Sequence, residues 1–132
     1  MGNLELLRER LGGAVEDPES FYEILHPDVV WDMSDTPSPM AGIYRGKDEV
    51  RAFYRRWAGA FSNWHYDIER MIEAGEEVVV IVREHGHGRG SGVEVGMLRA
   101  NIWTFEDGKV VLFRSFSSPE AALQAAGLEP DE

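Results

Sequence analysis

The chain has 132 residues, 43% of them hydrophobic and 28% charged, which suits one globular domain (1–132) able to bury a core without staples. It has no cysteine, which excludes disulfides, thiolate metal sites and a cysteine nucleophile. A net charge of −11, from 13 Lys+Arg against 24 Asp+Glu, opposes a phosphate backbone, so nucleic acid is not an expected partner.

The opening stretch MGNLELLRER lacks the apolar core of a secretory signal. No apolar run approaches the roughly 20 residues of a membrane span. A cytoplasmic protein with no membrane partner is the expectation.

Leu4, Leu7 and Leu11 fall at helical spacing, and Gly12 and Gly13 end that helix. Asp17 can cap a second helix, with Pro18 at its first position and Phe21, Ile24 and Leu25 as its apolar stripe. The HPD sequence at 26–28 breaks the pattern, and VVWDM begins the first strand. SDTPSPMAG reads as a loop and IYRG as a short strand. In KDEVRAFYRRWAGAF, Val50, Phe53, Tyr54, Trp57 and Phe61 recur at helical intervals. Four long strands follow, with Asp107-Gly108 as a hairpin signal. Pro119 opens a last short helix that Gly127 ends. Helices to one side of a curved antiparallel sheet make an α+β plan.

Asp32 closes an apolar strand and has two readings. With Val30 on its face, it points into an enclosed cavity, where desolvation raises its pKa and suits it to be a general base. Otherwise it is a solvated strand end that caps the backbone of SDTP. His85 and His87 share a strand face, but no third ligand stands at a recognisable interval, so no metal is expected. Their stretch, GHGRGSG, reads as a solvated hairpin, although His85 could reach a cavity mouth as acid/base partner to Asp32. No nucleophile elbow surrounds Ser115, and nothing suggests a nucleotide, flavin or haem, so no cofactor is expected.

The pieces PDVVWD, RGKDEVRAFY and WTFEDGKVV, in this element order, resemble the SnoaL-like branch of the nuclear transport factor 2-like superfamily, which includes ketosteroid isomerase-like proteins. The resemblance implies a conical barrel, a curved antiparallel sheet wrapped around N-terminal helices, with a mostly apolar cavity. It places Asp32 at the isomerases' general base and Asn101 near their oxyanion donor. Tyr54 matches a pocket tyrosine, and Ser115 falls where cyclases and epoxide hydrolases often carry an aspartate. Neither known constellation is complete. Met97, Arg99, Asn101 and Trp103 share one strand face and Phe113 and Ser115 another, and the resemblance turns both inward. Arg99 and Asn101 then donate to a carbonyl or carboxylate; the alternative for Arg99 is a surface or dimer contact. Trp31, Tyr54, Trp57, Met97, Trp103, Phe113 and Ser115 are the expected ligand contacts, although a stripe like that of Trp57 is more often core.

The expected activity is cofactor-independent acid/base catalysis by an isomerase, cyclase, lyase or hydrolase on a small hydrophobic carbonyl or hydroxyl compound. Its alternatives are a non-catalytic ligand-binding protein and a dimeric interaction module. A homodimer is expected from the resemblance.

Overall fold

A computed structural model describes residues 2–12, 17–36 and 40–128. Helix α1 (Asn3–Gly12) buries Leu7, and α2 (Pro18–Tyr22) starts where Asp17 accepts a hydrogen bond from the Ser20 amide at 3.3 Å. The second helix is shorter than the apolar spacing predicts. Ile24 falls in the turn after it and Leu25 already belongs to β1 (Leu25–Asp32).

The strand therefore runs through His26-Pro27-Asp28, where the sequence predicts a break. Two features accommodate the proline there. The β1 register slips between Leu25 and Val30, and the short β2 (Ile43–Arg45) pairs only with Val30–Asp32, leaving Pro27 beyond its reach. Part of the loop between β1 and β2, residues 37–39, lies outside the described residues, as does Gly13.

Helix α3 (Gly46–Ala60) leads straight into β3 (Phe61–Ala74). Strands β4 (Glu77–Gly88), β5 (Glu94–Glu106) and β6 (Lys109–Phe116) complete a meander, and α4 (Pro119–Ala125) follows. The sheet order is β2-β1-β6-β5-β4-β3, antiparallel except for β1 against β6. Six strands with free edges at β2 and β3 make a curved sheet that does not close into a barrel. The fold is α+β, as the element order predicts.

Both faces of this sheet are covered in its middle. On the inner face Val78, Val80, Val82, Trp103, Phe105 and Phe113 pack with Leu7, Phe21, Val50 and Phe53 from the helices. On the outer face Val79, Ala100 and Ile102 pack against Ala122 and Leu123 of α4. Among the described residues no helix is long and apolar enough to cross a membrane.

Candidate active site

A cavity of about 320 Å³ lies between the inner face of the sheet and the three N-terminal helices. That is near the small end for a ligand pocket. Strand pairing builds its floor in rows. Trp31, Phe113, Trp103 and Val78 are successive partners across four strands, and Ser115, Asn101 and Val80 form the next row. Further along, Val82 pairs with Arg99, and Tyr66, Glu84 and Met97 align. Helix α3 contributes Phe53, Tyr54 and Trp57 from above, while α2 contributes Phe21 and Tyr22.

Glu84 is the acid in this wall. Its side chain is 17% exposed and its Oε1 accepts from Arg99 Nη1 at 3.2 Å. Burial pushes its carboxyl above the usual glutamate range; Arg99 and the Trp64 indole pull the other way without cancelling that effect. The Arg99 guanidinium is held on its second nitrogen, Nη2 donating to Thr36 Oγ1 at 3.1 Å and to Ser115 Oγ. Its Nε–H is buried and meets no acceptor among the described residues.

Beside this network, the Trp103 indole N–H donates to Asn101 Oδ1 at 2.6 Å. Burial pushes the phenols of Tyr54 and Tyr66 above their usual range, so both are neutral at ordinary pH.

Strand β3 adds to the wall. The pairing slips between Ser62 and His65, and Asn63 adopts a left-handed φ of 54°. Trp64 and Tyr66, two residues apart, both face the cavity. Opposite the slip stands Gly86, where an added Cβ would lie 2.7 Å from the Trp64 ring. Glycine lets the indole lie against β4.

Of the residues predicted from sequence, Tyr54, Trp57, Arg99, Asn101, Trp103, Phe113 and Ser115 line the cavity. Trp31 is fully buried behind them, stacked on Phe113 with ring centroids 4.1 Å apart. Met97 stands in the Glu84 row, half-buried, and is not part of the lining.

Two predicted catalytic groups need correction. Asp32 does not look into the cavity, because β1 turns Trp31 and Met33 inward and Asp32 therefore outward. Its Oδ1 instead accepts from the Ser34 amide at 3.0 Å and hydroxyl at 2.5 Å. His85 is likewise on the outer face, its ring 3.5 Å from that of His65 and its Nε2 3.6 Å from Asp67. Among the described residues no group of three or more His, Asp or Glu could hold a metal.

Glu84, Trp64 and Tyr66 line the cavity and are absent from the sequence reading, and Glu84 is the one that bears on chemistry. Continuing the series Val78, Val80, Val82 by alternation would have put it on their face. The equally apolar series Val79, Ile81 hid which face was which.

A model of the SnoaL-like domain matches residues 14–113. The chain belongs to the SnoaL-like domain family. Its fold is that of a protein of unknown function from Burkholderia pseudomallei K96243, described as NTF2-like, with 25% identity over 94% of this chain and 97% of that one and a TM-score of 0.79. It is also similar to a hypothetical protein with a ketosteroid isomerase-like fold from Catenulispora acidiphila, solved in complex with trimethylamine (16% identity, 96% and 95% coverage, TM-score 0.72). TerC, co-crystallised with polyporic acid, shares the fold at 20% identity, 95% and 98% coverage and a TM-score of 0.75. No curated protein matches the chain.

Proposed function

We propose that this SnoaL-like protein is a cofactor-independent acid/base enzyme that moves a proton on a small hydrophobic carbonyl or hydroxyl compound bound in the cavity. The observation that carries this reading is Glu84, a carboxyl with a raised pKa in an aromatic wall, with Arg99 within hydrogen-bond distance. A proton carrier works best when its pKa approaches the working pH, and desolvation moves a glutamate that way. Asn101 would donate to the ligand oxygen as negative charge develops there, with the positive charge of Arg99 nearby. Tyr54, Trp57, Trp64 and Tyr66 would enclose the apolar body and exclude water.

Exchange of an acidic C–H proton in heavy water provides the test, with 2-tetralone as probe. The wild type should accelerate exchange next to the carbonyl, and Glu84→Gln should slow it by about a hundredfold while the probe still binds. Asp32→Asn should leave the rate unchanged. Equal rates in wild type and Glu84→Gln would remove Glu84 as the proton carrier.

The rival is a binding protein without turnover. One observation favours it: Glu84 and Arg99 satisfy each other at 3.2 Å, as a purely structural pair would. Probe binding with no acceleration of exchange by the wild type would select it.

A further inference from the structure

We infer that Trp103 is a specificity-determining positioning residue: it locks the Asn101 amide so that the cavity meets N–H groups there, selecting ligands that bring an acceptor oxygen. The inference rests on the reading of the cavity as a small-molecule site and adds the polarity of the ligand.

An asparagine amide carries an acceptor oxygen and a donor nitrogen at opposite corners and can present either one by turning about χ2. An indole N–H can only donate. The atom 2.6 Å from Trp103 Nε1 is therefore the amide oxygen. That oxygen is held along its own strand, because residues 101 and 103 point the same way. Turning the amide over would set N–H against N–H inside an apolar wall and break the bond. The Nδ2 hydrogens, which meet no acceptor among the described residues, are what a ligand encounters.

Trp103 itself cannot yield. It is 4% exposed and wedged between Trp31, Phe21 and Phe113, with ring centroids 5.4, 6.0 and 4.8 Å away. Two residues further from Trp103 along the same strand, Arg99 is held by Glu84, Thr36 and Ser115, which leaves the Asn101 amide as the free donor of this face. At Asn101 the wall therefore offers donors only. A ketone, quinone or enolate oxygen matches it, whereas a ligand N–H would face another N–H and lose its hydration without replacement.

Three bicyclic probes of similar size separate these cases: 1-indanone supplies an acceptor, indene supplies neither group, and indole supplies a donor. Calorimetric titration of the wild type should rank them in that order, with 1-indanone roughly five- to tenfold ahead of indene. Trp103→Phe keeps the ring packing and frees the amide, so indole should gain relative to 1-indanone by about fivefold or more. Asn101→Leu should bring 1-indanone and indene together, a result that does not depend on how well Trp103→Phe folds.

An unchanged 1-indanone to indole ratio in folded Trp103→Phe, or no preference in the wild type, would overturn the lock while leaving the small-molecule site intact. Failure of all three probes to bind the wild type would overturn the small-molecule reading and this inference with it.

Discussion

At the scale of single residues, the inner wall turns on one acid and one cation. Folding raises the pKa of Glu84, so the native state holds its proton more tightly than the unfolded chain does. The stability this contributes is fully present below the ordinary glutamate range and is lost as pH rises through the raised native value. Urea unfolding across that window should show wild-type stability falling with pH, and Glu84→Gln should lack that slope. Arg99→Met removes the main group favouring the ionised form, so the Glu84 carboxyl should titrate at still higher pH, as followed by carbon NMR of the side chain.

Why Glu84 was illegible and Asp32 misplaced has one physical cause. Alternation identifies a face only when one side of a strand is polar, and both strands are apolar on both sides in their middle. Val29 and Trp31 are fully buried and Val30 is half-buried; Val78, Val79 and Val80 are all fully buried. With no polar face to mark the outside, the direction of a strand-end carboxylate is set by neighbours far away in the chain. The face shared by Arg99, Asn101 and Trp103 was legible because family resemblance, not spacing, fixed its direction.

Among the elements, β3 and its partner at Gly86 set the position of one wall of the cavity. In Gly86→Ala the new methyl would fall 2.7 Å from the Trp64 ring and 3.0 Å from its Cα, so backbone as well as side chain must shift. We expect a loss of about 1–3 kcal/mol in urea denaturation, accompanied by a change in tryptophan emission as Trp64 leaves its seat. Helix α4 depends on its cap, since Ser118 Oγ accepts from the Ala121 amide at 3.2 Å. Ser118→Ala should cost about 1 kcal/mol in the same assay.

Local signals served well where the chemistry is local. Asp107 and Gly108 have φ of 52° and 78°, the pair of positive values that a two-residue hairpin turn needs and that Asp-Gly favours. Pro18 and Pro119 both sit at helix starts, as their fixed φ suggests. The β3 slip at Asn63 and the strand running through Pro27 were not legible. Each depends on where a neighbouring strand lies or stops, not on the residues themselves.

For the whole molecule, the order of elements and the SnoaL-like wording carried the architecture, since alternating apolar segments and turn signals recur along most of the chain. A homodimer remains our proposal from that family resemblance. Sedimentation equilibrium at micromolar concentration should give twice the mass of 14.9 kDa, and a monomer there would remove it.

The lone parallel pairing in the sheet sets a timetable for assembly. Trp31 stacks on Phe113, so the back of the cavity joins a strand made early in synthesis to one made near the end. Contacts this distant in sequence form slowly and late. While a nascent chain emerges from the ribosome, the helices and β1 must wait with their aromatic surface uncovered until residues 109–116 arrive. A chain stalled before that point should bind chaperone and none of the bicyclic probes, however much local structure it has gained.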